Sequence, residues 1–351
     1  MKRFLCLLMC GLCLFGLTAC GNNSGEEETS GVTLNILNWD DYIDPELVTL
    51  FEEQNPGVNV KITPLTSNEE MITVLSQKDS IYDLCFPSDY AIEWLIKDDL
   101  LLELDKSKIP NMSHIMTHCL DKSFDKGNTY SVPYMWGTVG ILYNTTMVTD
   151  PVDSWDILWN EKYYRDIVMY DSVRDSMTVA LKRLGYSLNT TDEKELKEAG
   201  DSLKEQKKLV QNYGTDEIKN RMASDSAALS VVYSGDAILA MDENENLSYV
   251  VPKEGSNIWY DNMVVMKNTK NADLAHKFIN FLCDPEVAKQ NTEYIGYTTT
   301  NQTAFDNLDD YYKENPAYAP DVDALTNCEV YVDLGDRIRL YDDIWTRLKA
   351  Y

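Results

Sequence analysis

The chain has 351 residues, 44% of them hydrophobic and 11% aromatic, enough for about two domains with real cores. Its 58 acidic residues outnumber 31 lysines and arginines, giving a net charge of −27. That balance argues against nucleic-acid binding, which needs clustered cations on phosphates, and its field favours a cationic partner.

The first residues read as a targeting segment. Met1, Lys2 and Arg3 make a short basic start, and residues 4–16 are almost entirely apolar but too short for a permanent membrane span. Leu17-Thr18-Ala19-Cys20-Gly21 follows and resembles the lipobox of bacterial lipoproteins. The resemblance implies a signal peptide over 1–19 and a diacylglyceryl thioether on Cys20, anchoring the protein to the outer face of the cell membrane. Residues 20–31 are polar and read as a flexible tether. Cys85, Cys119, Cys283 and Cys328 have neither metal-ligand nor redox spacing. His114 and His118 lack an intervening carboxylate and are expected to be two polar residues on one helix. No metal or cofactor is expected.

Beyond the tether, strands and helices alternate. Val32 to Asn38 reads as a strand, and Asp44-Pro45-Glu46 as a helix start that Asn55-Pro56-Gly57 ends. A strand from Val58 to Thr63, a helix from an Asn68 cap to Gln77, a strand from Tyr82 to Phe86 and another helix follow. After a loop-rich stretch, strands are expected over Ile141–Asn144, Asp166–Tyr170, Ala228–Val232 and Leu247–Val251. Helices are expected over Arg174–Leu184 and Glu193–Gln211, and two more from Asn271 to Tyr294. The second half of Ser256–Met266 alternates as a strand. This is an α/β layer pattern.

Chemistry concentrates where strands end. Trp39, Asp40 and Tyr42 follow one strand; Ser88 and Tyr90 follow another; Asp171 and Asp175 a third; Tyr233 a fourth. Ligands of open α/β sheets bind just beyond the carboxyl ends of strands. Trp259 and Asp261 are two apart, so an extended chain projects both to one side. A flat aromatic face beside a carboxylate suits an organic amine.

Taken together, Asn38-Trp39-Asp40-Asp41-Tyr42, Pro87-Ser88-Asp89-Tyr90, Val132-Pro133-Tyr134-Met135-Trp136-Gly137, Val251-Pro252-Lys253-Glu254-Gly255, Trp259-Tyr260-Asp261 and Ile295-Gly296-Tyr297 carry a resemblance. Over nearly all of the mature chain it is similar to the spermidine/putrescine-binding proteins of bacterial ABC importers. The resemblance implies a two-lobed periplasmic-binding-protein-like fold of type II, each lobe a mostly parallel sheet flanked by helices, with a hinge. Lobe one would comprise 32–138 and 261–303, and lobe two 139–260 and 304–351. It further implies a monomer that holds a polyamine between its lobes and delivers it to the permease subunits of an ABC transporter. The family's aromatic box falls on Trp39, Tyr42, Tyr90, Tyr233, Trp259 and Tyr297. Its central carboxylate falls on Asp261, and a polar contact on Ser88. The family's second-lobe acidic pair falls on Ser172 and Asp175, so one acid is missing; Asp171 lies one residue earlier. A Trp of better-known members is Tyr233 here, and a C-terminal Gln is Tyr331. These departures leave the choice between spermidine and putrescine open.

Two rival readings use the same residues. The fold could bind a sugar, an amino acid or ferric ion, since aromatics stack on sugars and tyrosines bind iron. Asp261 with Asp171 or Asp175 could serve as a glycosidase pair. The absence of a hydrolase nucleophile motif weighs against an enzyme.

Overall fold

The computed structural model describes residues 31–65, 67–215, 217–320 and 322–351. Up to residue 30, the segments expected to be a signal peptide and a tether, with Cys20 between them, lie outside the described residues.

A long strand that belongs to two sheets organises the molecule. The strands are β1 (Val32–Trp39), β2 (Val58–Leu65), β3 (Leu84–Cys85), β4 (Ser131–Asn144), β5 (Ile167–Tyr170), β6 (Val210–Gly214), β7 (Leu229–Tyr233), β8 (Leu247–Val250), β9 (Ile258–Val265) and β10 (Thr298–Thr299). They run in the order β2-β1-β3-β9-β4-β7-β5-β6, with β8 and β10 also on β4. The β4 residues 131–138 pair with β9, and residues 139–144 pair with β7 and β8. One strand thus carries the chain from one lobe into the other. At the changeover, Val139 N donates to the Asn257 carbonyl, and Ile258 N to the Glu329 carbonyl.

The cores divide on either side of that changeover. The first gathers Ile36, Leu47, Phe51, Phe86, Met263 and Phe278 around β1, β3 and β9. Its helix Pro45–Gln54 is capped by Asp44, begins with Pro, and buries Leu47 and Phe51. Phe51 meets Phe278 edge-on, with ring centroids 4.8 Å apart. The second lobe packs separate clusters on the two faces of β5 and β7, one around Trp155 and one around Tyr318, and a third where Tyr341 meets Leu181 and Leu203.

Several boundaries differ from the sequence reading. β4 begins ten residues before Ile141 and contains Pro133, which the sheet accommodates at a register shift between Pro133 and Met135. The helix from Glu193 stops at Lys207, and Val210–Gly214 joins the sheet as β6 beside β5. Ser67 rather than Asn68 caps the helix Asn68–Leu75, because the Asn68 side-chain oxygen accepts from Ser88 N. His114 and His118 sit in two separate short helices, not one.

Candidate functional site

The carboxyl ends of β1, β3, β5 and β7 open onto one cleft of about 1080 Å³ between the lobes. All thirteen candidate contact residues line it: Trp39, Asp40, Tyr42, Ser88, Tyr90, Asp171, Ser172, Asp175, Tyr233, Trp259, Asp261, Tyr297 and Tyr331.

Strand pleating sorts β9 as its alternation requires. Trp259 and Asp261 face the cleft. Tyr260 points the other way, stacked on Trp136 at 6.5 Å with Lys122 over its ring. The Asp261 carboxylate is buried and accepts two hydroxyls, Tyr42 Oη at 2.7 Å and Ser88 Oγ at 2.5 Å. Ser88 stands at the N-cap of helix Asp89–Lys97, yet its hydroxyl makes no capping bond there. Ser is favoured at that position for capping, and here its hydroxyl is turned to Asp261 instead. Burial pushes the Asp261 carboxyl up to about 6, against the lowering effect of the Ser88 and Tyr42 hydrogen bonds. Burial and the neighbouring Asp261 push the Tyr42 phenol well above its ordinary value, so it remains a donor.

Aromatic rings build the wall around this carboxylate. Trp259 and Tyr297 meet edge-on at 5.2 Å, Tyr42 and Tyr297 at 5.9 Å, and Tyr233 and Trp259 at 6.4 Å. Two glycines make room for them. A Cβ on Gly235 would lie 1.9 Å from the Tyr297 ring, and one on Gly137 would lie 2.5 Å from Trp259. Tyr90 closes the rim, its hydroxyl on Glu69 at 3.0 Å.

A second buried carboxylate comes from the other lobe. Asp175 lies in the first turn of helix Val173–Arg183, behind its Ser172 cap. Its two oxygens accept from Tyr233 Oη and Tyr331 Oη, each at 2.9 Å. Burial, then the charge of Asp175, raises both phenols. Each lobe therefore presents one carboxylate held by two hydroxyls, beside aromatic faces. The electron-rich ring faces and a fixed carboxylate attract organic cations, the rings also covering methylenes.

A family model described as bacterial extracellular solute-binding protein matches residues 46–320. This chain is a bacterial extracellular solute-binding protein. It is 34% identical over 347 residues to the spermidine/putrescine-binding periplasmic protein of Salmonella typhimurium, covering 98% of this chain and 97% of the relative. The structure of the spermidine/putrescine ABC transporter substrate-binding protein of Streptococcus pneumoniae, in complex with calcium and HEPES, matches with a TM-score of 0.85 at 42% identity. That match covers 92% of this chain and 99% of the other. A lipoprotein structure from Treponema pallidum matches with a TM-score of 0.80 at 28% identity, over 90% and 99% of the respective chains. The solute-binding protein thus falls in the spermidine/putrescine-binding group and has the two-lobed type II fold.

Not every acid in the cleft of this solute-binding protein has the same standing. Asp40 is exposed at the rim. Asp171 is exposed and its carboxylate is held by Lys349 Nζ at 2.9 Å. Ser172 spends its hydroxyl on Asp175 N at 3.4 Å. Several cleft residues escaped the sequence reading, and two of them stand beside the buried carboxylates. Asp89 is buried behind Asp261, and burial foremost pushes its carboxyl up to about 8. Arg174 brings a guanidinium to the Asp175 end, 4.2 Å over the Tyr331 ring. Both stand within motifs already singled out, Asp89 next to Ser88 and Arg174 next to Asp175. Sequence spacing alone gave them no chemistry, because only the packing decides which of two neighbours is buried. Among the described residues, no group of three or more His, Cys, Asp or Glu could hold a metal ion.

Proposed function

We propose that this protein captures a polyamine in the inter-lobe cleft and hands it to the permease of an ABC importer, without acting on it chemically. The observation that carries the reading is the paired arrangement of Asp261 and Asp175, one buried carboxylate from each lobe, among nine aromatic side chains lining the cleft. A polyamine is a methylene chain with ammonium groups at intervals. Carboxylates pair its charges, which are costly to bury unpaired, and ring faces cover its methylenes. Names carried by similar proteins, spermidine/putrescine-binding in both a curated relative and a solved structure, support the same ligand class.

The lobes are assigned as 32–138 with 261–303, and 139–260 with 304–351. In this reading the chain works as a monomer outside the cell membrane, held by lipid on Cys20. The lipobox-like Leu17–Cys20 sequence supports the anchor, as does the likeness to a Treponema pallidum lipoprotein. No helix among the described residues is long and apolar enough to cross a membrane.

Calorimetric titration of the purified protein with putrescine, cadaverine, spermidine and spermine tests the reading. One-to-one binding of at least one polyamine, with no heat from sugars or neutral amino acids, is the expected outcome. Binding of a sugar and of no polyamine would overturn it.

A further inference from the structure

Resting on the polyamine reading, we infer that this cleft selects diamines over triamines. The cleft offers two poles, and each supplies one buried carboxylate whose two oxygens are already fixed by hydroxyl donors. Two fixed carboxylates match two ammonium groups, one at each end of a methylene chain covered by the rings between them.

A third ammonium finds no comparable partner. At the Asp261 end the nearby acid is Asp89. Its carboxyl is buried, takes backbone N–H groups from Tyr90 at 2.8 Å and Tyr260 at 3.4 Å, and is pushed up to about 8, so near neutral pH it is mostly protonated. At the Asp175 end the adjacent positions are a hydroxyl, Ser172, and a cation, Arg174. The Arg174 guanidinium gives its hydrogen bonds to neutral acceptors, Asn189 Oδ1 at 2.7 Å and the Leu188 and Val332 carbonyls at 3.5 Å. None of these acceptors is charged, and Arg174 lines the cleft next to Asp175, its guanidinium 4.2 Å over the Tyr331 ring. Asp171, which could have compensated for Ser172, is drawn off to Lys349. Asp40, Glu69 and Asp342 are exposed at the rim, where water and salt screen them, while the half-buried Asp236 already has Lys219 Nζ at 3.9 Å and Asp333 takes the Gly335 N–H at 2.8 Å. An added ammonium thus loses its hydration without gaining a fixed counter-charge, and meets Arg174 instead.

Competition calorimetry with putrescine, cadaverine and spermidine, on wild type and on Ser172→Asp and Arg174→Gln, tests the inference. Asp is as good an N-cap as Ser, so the first variant preserves the helix start. Wild type is expected to bind one of the two diamines at least about tenfold tighter than spermidine. Ser172→Asp, and separately Arg174→Gln, should tighten spermidine several-fold more than either diamine. Equal or tighter spermidine binding by wild type overturns the selectivity and leaves the polyamine reading standing. A wild-type preference that neither variant narrows overturns the assignment of that preference to the lobe-two pole. Absence of binding by all three amines overturns the polyamine reading itself, and this inference with it.

Discussion

Tyr42 and Asp261 lie 219 residues apart in the chain, yet the Tyr42 hydroxyl donates to the Asp261 carboxylate across 2.7 Å. The bond joins the turn after β1 to the middle of β9, two segments of one core that lie far apart in sequence. That turn includes Asp41 at a φ of 48°, a left-handed conformation that Asp tolerates better than most residues. The turn sets Tyr42 under the carboxylate, and Ser88 approaches it from the end of β3.

Replacing Asp261 by Asn keeps the shape and removes the charge. Breaking one side of a desolvated ion pair costs about 3–5 kcal/mol, equivalent to about two to three and a half decades in polyamine affinity. Acids of the N-terminal segment, Glu26 to Glu28, would act only through screened steering, so their neutralisation should change affinity little at physiological salt. Titration of the two variants side by side separates the site from the general acidic field. An Asp261→Asn protein that binds within about threefold of wild type would make Asp261 a structural residue of β9 and not a ligand contact.

The same carboxyl sets a pH dependence. In the empty cleft burial holds Asp261 near 6, above its ordinary value of 3.8. A bound ammonium favours the ionised form and draws that value down. Affinity is therefore full above about pH 6 and falls as the pH drops below it, by up to about tenfold per unit. Dissociation constants measured from pH 4.5 to 8 should show this break in wild type and not in Asp261→Asn. Stability of the empty protein runs the opposite way: a raised carboxyl contributes stability that is full below its unfolded value and lost as the pH rises through about 6. A flat affinity profile across that range would mean that Asp261 does not meet the ligand charge.

Much of this site was legible in the sequence because its placement follows backbone periodicity. Trp259 and Asp261 share a face for the same reason that Tyr260 does not: the pleat has a period of two. The residues after β1, β3, β5 and β7 converge because the carboxyl ends of those strands open on one cleft. What stayed hidden depends on long-range packing. Asp171 and Asp175 read alike, yet Lys349, 178 residues away, holds the first at the surface while two tyrosines bury the second. The helix beginning at Glu193 reads as running to Gln211, because a few apolar residues fit both periods; the open edge of β5 takes Val210–Gly214 as a strand instead.

Gly235 carries the Tyr297 ring directly on its backbone, so Gly235→Ala should displace that wall of the box. Gly235 lies in the first turn of helix Ser234–Glu243, which gains rather than loses propensity from Ala, and this keeps the fold available to the variant. Loss of one cation–π contact is worth about 0.5–2 kcal/mol, or about two- to thirty-fold in affinity. Calorimetry and a thermal melt on the same sample measure the two effects separately. Unchanged affinity would remove Tyr297 from the ligand contacts.

The anchor is open to a simple test in the native host. With Cys20→Ala, the thioether cannot form, and the protein should appear soluble or unprocessed rather than processed and membrane-bound. Fractionation followed by mass measurement of the N-terminus distinguishes these states. Processed variant in the membrane fraction would count against lipid on Cys20.

Closure on the ligand follows from how the two poles are mounted. Tyr42, Ser88 and Asp261 project from the β1, β3 and β9 side, whereas Asp175, Tyr233 and Tyr331 belong to the side built on β5 and β7. The two sides are joined at the change of partners along β4, between Thr138 and Val139, and by the segments running beside it at Asn257 and Glu329. A diammonium ligand that reaches both carboxylates gains its full pairing only when the sides approach, so it binds the closed arrangement better and shifts the population toward it. Small-angle scattering should show a smaller radius of gyration at saturating polyamine than in its absence. Asp175→Asn, which leaves the Asp261 pole intact, should still bind weakly and show less compaction at saturation. If wild type gives the same scattering profile with and without saturating ligand, the cleft is preformed, and the hinge expected at β4 does not operate on binding.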